Sequence, residues 1–185
     1  MSHTLIELLS ILAFFLPAMV FMRRNWVYTI FSFYLATVYS LVGLPTVLFL
    51  RFDITINLVP LLPMIEDLKN SFLNILLFIP LGFFLPLLYT KFRKCSVTLM
   101  FGLAMTIAIE LLQMLTYRVT DINDVLTNFL GCWLGYGIFR IANTFFSNRI
   151  PSFGNCRDIR KTLVAVMFIM FFLQPLLAEF LYRIL

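Results

Sequence analysis

Long runs of apolar residues alternate with short polar segments along the whole chain. A helix that spans a bilayer needs roughly 20 mostly apolar residues, and six runs are predicted as such helices. They cover about Thr4–Met22, Trp26–Leu50, Ser71–Thr90, Ser96–Thr116, Ile122–Phe146 and Thr162–Tyr182. Only helices and closed barrels satisfy all backbone polar groups inside a bilayer. The pattern therefore predicts an all-α integral membrane protein, a single bundle of about six transmembrane helices.

The composition supports this prediction, and the chain length indicates a single domain. Hydrophobic residues make up 62% of the 185 residues, and the mean hydropathy is +0.98. A soluble domain is about 45–50% apolar, so a soluble core could not bury this excess. The length suits one bundle, and residues 1–185 are predicted to form one membrane domain. No basic stretch precedes Thr4–Met22, so this run is expected to be a span and not a cleaved signal peptide.

The positive charges predict an orientation. If all six runs span, ten cations fall on one side: Arg23, Arg24, Lys91, Arg93, Lys94, Arg140, Arg149, Arg157, Arg160 and Lys161. The other side has four: Arg51, Lys69, Arg118 and Arg183. Because cationic loops stay in the cytoplasm, both termini are predicted to be extracytoplasmic. The cations lie in short clusters between apolar runs, so the net charge of +5 does not indicate nucleic-acid binding.

One polar cluster interrupts the apolar sequence, in IELLQMLTYRVTDINDVLTNFLGCWLG, residues 109–135. Glu110 comes about 14 residues after the cytoplasmic start of its span, which puts it roughly 20 Å across a hydrocarbon layer of about 30 Å. Gln113 shares its helix face. A carboxyl group at this depth requires a partner, a proton or an aqueous cavity, and acids inside membranes are commonly functional.

The next span carries a stripe at heptad spacing, formed by Asp121, Asp124, Asn128, Gly131 and Gly135. Its outer half is polar, and its inner half has the small-xxx-small pattern that lets helices approach closely. Gly131 and Gly135 are therefore predicted to be packing residues. Glu110 and Gln113, on the preceding span, are expected to face the stripe, so that the helices close below an extracytoplasmic polar cavity.

A third span contributes polar and helix-disrupting residues at the same predicted side. Asn70 and Asn74 lie one turn apart at its outer end, and Pro80 removes one backbone hydrogen bond. A kink at Pro80 would tilt the outer half of this span. The preceding loop, residues 53–70, contains Pro60 and Pro63 and is apolar for a loop, so it is expected to lie in the interface or to fold back over the bundle.

These residues together resemble the VanZ-like family of bacterial membrane proteins. The resemblance covers residues 57–146: Asn57-Leu-Val-Pro60, then NILLFIPLGF from Asn74, then Glu110-x-x-Gln113, and then Arg118-x-x-Asp121-x-x-Asp124-x-x-x-Asn128-x-x-Gly131-x-x-x-Gly135. It implies a multi-pass protein of the bacterial cell membrane and resistance to the glycopeptide antibiotic teicoplanin. It implies no reaction. Residues 162–182 would be an additional C-terminal transmembrane helix.

Two functions are compatible with the cluster. In the first, the cavity binds a lipid-linked component of the cell envelope, or the lipid part of the drug. The residues expected to bind are Asn74, Glu110, Gln113, Arg118, Asp121, Asp124 and Asn128. In the second, the protein is an enzyme that modifies a lipid-linked envelope substrate, with Glu110 as general base and Asp124 as a second catalytic residue. A secondary transporter would need an internal repeat, which the sequence lacks.

The same residues could bind a ligand or have a purely structural role. No cofactor is identified, although Asp121 and Asp124 could hold a divalent cation and Arg118 a phosphate. Alternatively, Asp121 caps the helix that follows it, and Arg118 pairs with Asp121 or lies among lipid phosphates. The amides of Gln113, Asn128 and Asn74 could simply join helices by hydrogen bonds. The oligomeric state has no signal in the sequence.

Overall fold

The computed structural model describes residues 26–51, 56–57, 68–116, 118, 120–146 and 156–184. The predicted span Thr4–Met22 lies outside the described residues, as do Pro60 and Pro63 of the loop at residues 53–70.

Helices account for most of the described chain. The α-helices are α1 (Trp26–Leu41), α2 (Leu68–Leu88), α3 (Cys95–Gln113), α4 (Ile122–Phe145), α5 (Cys156–Phe168) and α6 (Gln174–Ile184). A 3-10 turn covers Thr90–Arg93, a π-helical segment covers Ile169–Leu173 and joins α5 to α6, and two short strands are β1 (Ile56–Asn57) and β2 (Thr120–Asp121). The all-α prediction is confirmed, with the strands as a minor addition.

Four helical stretches of the described chain are long and apolar enough to cross a membrane. They are Leu68–Leu88, Cys95–Gln113, Ile122–Phe145 and Asp158–Ile184, and they match four of the six predicted spans. The predicted span Trp26–Leu50 was too long, since its helix has 16 residues and ends at Leu41. Gly43 then adopts a positive φ of 65°, and Pro45 restricts Leu44 to an extended backbone. Six spans are therefore not established.

The chain divides into two compact units. One contains residues up to Arg51 together with Arg157–Leu185, and we call it the terminal unit. The other, Phe52–Cys156, is called the central unit. The central unit contains α2, α3 and α4 and the whole predicted polar cluster. A single domain over residues 1–185 stays a prediction.

A proline explains the π-helical segment in the terminal unit. Pro175 has no backbone N–H, so the carbonyl of Phe171, four residues earlier, cannot receive the usual helical hydrogen bond. The N–H of Val47 donates to this carbonyl instead, at 3.0 Å. Because a wider helical turn re-aims the free carbonyl towards a neighbouring segment, the hydrogen bond lost to Pro175 is replaced within the same unit.

In the central unit, α4 packs between α2 and α3. A Cβ added at Gly131 would collide with the carbonyl of Ile75, and a Cβ added at Gly135 would collide with the carbonyl of Ile79. Because these contacts advance in the same direction along both helices, α2 and α4 are parallel. Gly82 is equally close to the Cys132 carbonyl. The packing role of Gly131 and Gly135 agrees with these contacts, although their partner is α2 and not α3. Helix α2 runs through both Pro80 and Pro86.

The two ends of the central unit differ in charge. Lys91, Arg93, Lys94 and Arg140 lie at one end, which we call the basic end. Asn74, Glu110, Asp121 and Asp124 lie at the other, which we call the acidic end. Between them the helices expose large apolar side chains, among them Met100, Leu76 and Trp133. Exposed apolar surface of this extent is typical of helices that face lipid.

Candidate functional site

A short parallel strand pair frames the acidic end. Ile56 pairs with Thr120 and Asn57 pairs with Asp121. The pairing brings Ile56 and Asn57, which precede α2, beside the residues that start α4. Since Thr120 and Asp121 directly precede α4, the strand pair fixes the entry of this helix.

Glu110 joins the end of α3 to the start of α4. Its side chain is only 4% exposed, and its Oε2 accepts a hydrogen bond from the backbone N–H of Asp121 at 2.9 Å. The backbone carbonyl of Glu110 accepts a second one from the Thr120 hydroxyl at 3.0 Å. A buried carboxyl group needs such partners because its desolvation is costly. Glu110 therefore orients the α3–α4 connection as well as lying at the centre of the cluster.

Asp121 is the N-cap of α4. Its Oδ1 accepts from the backbone N–H of Asn123 at 2.8 Å and from the Asn123 side-chain amide at 2.7 Å. The capping alternative considered for Asp121 is therefore confirmed. Asn123, which is buried, was missed by the sequence analysis. Its position two residues after a capping acid was the available signal.

Asp124 and Asn74 connect α4 to α2. The side-chain amide of Asn74 donates to Oδ1 of Asp124 at 2.7 Å, and the pair is partly buried. Asp124 lies in the first turn of α4, where the helix dipole also favours a negative charge. Two residues assigned to a binding site thus also hold each other across parallel helices.

Deeper in the bundle, Asn128 of α4 faces α3. Its amide nitrogen donates to the Thr106 hydroxyl at 3.0 Å, and both side chains are buried. The amide oxygen of Asn128 has no hydrogen-bond partner in the part of the chain that the structure describes. Thr106 was missed by the sequence analysis, although it lies four residues before Glu110 and hence on the same helix face. Gln113 is buried at the last residue of α3.

The polar stripe of α4 is therefore divided between two neighbours. Asp124, Gly131 and Gly135 face α2, whereas Asn128 and Cys132 face α3, where a Cβ on Gly102 would lie 2.6 Å from the Cys132 sulfur. On a helix with 3.6 residues per turn, a step of three residues falls about 60° short of a full turn and a step of four goes about 40° beyond it. Residues of a heptad stripe therefore alternate between the two sides of its midline. One stripe can thereby contact both neighbours of α4.

The residues of this site lie within a range that matches a protein-family model. The VanZ/LLP1 family model matches residues 11–143, more than two thirds of the chain. The chain belongs to the VanZ/LLP1 family. The matched range starts well before Asn57 and ends at residue 143, so it includes α1 and nearly all of residues 57–146. Searches of the curated proteins and of the solved structures found no match.

Family membership and structure together establish the general class of this protein. It is a VanZ/LLP1 membrane protein with apolar helices long enough to span, and the family suggests a function of the teicoplanin-resistance type. Within this VanZ/LLP1 chain the match includes every residue assigned to the predicted site, from Asn74 to Asn128.

Arg118 completes the charged groups at the acidic end. Its side chain is exposed, and it interacts electrostatically with Glu110, as do Asp121 and Asp124. The site therefore combines three carboxyl groups with one exposed guanidinium group, the donor best suited to a phosphate or carboxylate. Among the described residues, no group of three or more His, Cys, Asp or Glu side chains is arranged to hold a metal ion. A divalent cation at Asp121 and Asp124 stays a prediction.

Proposed function

We propose that this VanZ/LLP1 protein confers low-level resistance to teicoplanin by binding at its acidic end. The ligand is either a lipid-linked component of the cell envelope or the lipid part of the drug. The observation that carries the proposal is Glu110, a 4% exposed carboxyl group inside a candidate membrane span. A group that costs this much to bury is retained where it has a role.

The neighbours of Glu110 support a recognition role. Asp121, Asp124 and Arg118 lie within electrostatic reach of it, and Arg118 is exposed. Leu111 of α3 and Phe72 of α2 are exposed apolar side chains at the same end of the unit. A molecule with a polar head and an acyl chain would place its head on the charged groups and its chain along these helices. We further propose that the acidic end opens extracytoplasmically, as a cavity at the outer surface of the bacterial cell membrane.

Drug-susceptibility measurements test this proposal. Glu110→Gln and Asp124→Asn, each expressed as the full chain in a teicoplanin-susceptible host, are expected to abolish protection at unchanged membrane abundance. Glu179→Gln is the matched control, because Glu179 is an exposed acid paired with Arg183 at 3.0 Å. Full protection by both site variants would eliminate a functional acidic end.

The two ligands can be separated with the drug itself. If the protein binds the lipid part of the drug, it should protect against teicoplanin and give no protection against a form that lacks the acyl chain. If it binds a lipid-linked envelope component, both forms should be resisted. The acyl-free compound therefore decides between the ligands without changing the protein.

The enzymatic alternative rests on the same carboxyl group. Glu110, held by the Asp121 N–H at 2.9 Å, would act as general base on a lipid-linked envelope substrate, with Asp124 beside it. Mass spectrometry of surface lipids and wall polymers distinguishes the two functions. A new covalent species that disappears with Glu110→Gln supports catalysis, whereas an unchanged profile in protected cells supports binding.

A further inference from the structure

The basic end of the central unit has a charge excess that the proposed function does not use. Lys91 and Arg93 lie in the 3-10 turn after α2, Lys94 follows it, and Arg140 lies near the end of α4. Lys91, Lys94 and Arg140 are exposed. The described acids of this unit, Glu110, Asp121 and Asp124, belong to the acidic end. Four cations are thus gathered away from any described acid of the unit.

The turn that carries these cations is fixed against α4. The Tyr136 hydroxyl donates to the Arg93 carbonyl at 2.7 Å, and the Arg93 guanidinium lies 6.0 Å from the centre of the Phe139 ring. Arg93 also donates through Nε to the Pro86 carbonyl at 3.5 Å. Arg93 therefore has a packing role, and it brings the turn beside Phe139, the residue before Arg140. Lys91 and Lys94 flank Arg93 in this anchored turn.

The position of the turn suits a lipid. It joins the ends of two candidate spans, at Leu88 and Cys95, and packs against the end of a third. Span ends lie at the level of the phospholipid headgroups. Trp133, seven residues before Arg140, lies on the same face of α4 and about two turns nearer the bilayer centre, and it is 53% exposed. Cationic side chains thus adjoin apolar surface that could contact acyl chains.

We propose that the basic end binds the headgroup of an anionic phospholipid, with Lys91, Lys94 and Arg140 holding the phosphate. Trp133 contacts an acyl chain of the same lipid. Charge complementarity selects an anionic over a zwitterionic lipid, because basic sites between helices at this level favour phosphate groups with net negative charge. The proposal does not depend on the function of the acidic end.

Lipid binding to the purified full chain tests the proposal. In detergent, the protein is titrated with phosphatidylglycerol or phosphatidylcholine, and bound lipid is measured by native mass spectrometry. The unmodified protein is expected to retain phosphatidylglycerol preferentially. Each cation near a membrane surface contributes about a fivefold change in affinity for anionic lipid. The variant with Lys91→Gln, Lys94→Gln and Arg140→Gln should therefore lose the preference, and added salt should weaken it in the unmodified protein.

Two control variants isolate the cause. A charge-retaining variant with Lys91→Arg, Lys94→Arg and Arg140→Lys should keep the preference, and so should one with Lys69→Gln and Arg183→Gln, which removes two cations elsewhere. Arg140→Gln alone replaces the triple variant if the latter does not fold. Undiminished phosphatidylglycerol binding by a folded Gln variant would overturn the proposal and leave these cations only a role in membrane orientation. Displacement of the lipid by equimolar inorganic phosphate would overturn it in favour of a free-anion site.

Discussion

Asn74 and Asp124 are 50 positions apart in sequence, yet the Asn74 amide donates to the Asp124 carboxylate at 2.7 Å. This contact joins the starts of two parallel helices, α2 and α4, just above the glycines that bring their backbones together. The acidic end is therefore attached to a closely packed helix pair. Any ligand bound there meets groups whose positions are already set by packing.

We expect the Asn74–Asp124 hydrogen bond to stabilise the fold measurably. A double-mutant cycle with Asn74→Leu and Asp124→Leu should give a coupling energy of about 0.6 kcal/mol, and at most about 1.7 kcal/mol, the range found for polar contacts between membrane helices. The measurement is the free energy of unfolding in detergent. A coupling energy of zero would mean that the Asn74–Asp124 hydrogen bond adds nothing to the free energy of unfolding beyond what each side chain contributes alone.

The glycines of α4 should differ sharply in their tolerance of a methyl group. Gly135→Ala is expected to destabilise the protein by roughly 1–3 kcal/mol, because the new Cβ would overpack against the Ile79 carbonyl. Gly137→Ala is the matched control on the same helix, since a Cβ there meets nothing within 4 Å. Unfolding in detergent measures both. Equal stability of the two variants would contradict the close approach of α2 and α4.

Asp121 offers a way to separate capping from ligand binding. Asp121→Ala should cost about 0.5–2 kcal/mol of stability through the lost N-cap. Asp121→Asn retains an oxygen that can accept from the Asn123 N–H and should keep most of that stability, while it removes the charge. Unfolding and teicoplanin susceptibility are measured in parallel. Protection retained by Asp121→Asn and reduced by Asp121→Ala would limit Asp121 to its capping role.

Cysteine labelling tests the proposed orientation. Cys95 is exposed at the basic end and Cys132 is buried, so in a Cys156→Ser background only Cys95 should react with a maleimide. A membrane-impermeant maleimide should label it in inverted vesicles and not in intact cells. Lys69→Cys at the acidic end, made together with Cys95→Ser, should give the opposite result. Labelling of Cys95 from outside intact cells would reverse the orientation and place the acidic end in the cytoplasm.

The sequence predicted the spans best where local pattern alone decides them. The runs that became α2, α3 and α4 are long and apolar, so a bilayer-length helix is the low-energy form of each by itself. Trp26–Leu50 was misjudged, because hydropathy does not report the turn at Gly43 and Pro45. The break in the C-terminal helix was missed for a related reason. Its π-helical turn depends on Pro175 together with an N–H donor, Val47, from a distant segment.

Local pattern was enough to predict the membrane class, the polar residues of the acidic end and the small residues that allow close packing. The helix that each of these residues contacts follows only from how the helices pack. The stripe on α4 was expected to face α3 as one surface, yet its glycines face α2 while Asn128 faces α3. Periodicity fixes the angle of a side chain around its own helix. The identity of the neighbour at that angle is set by the packing of all the helices together.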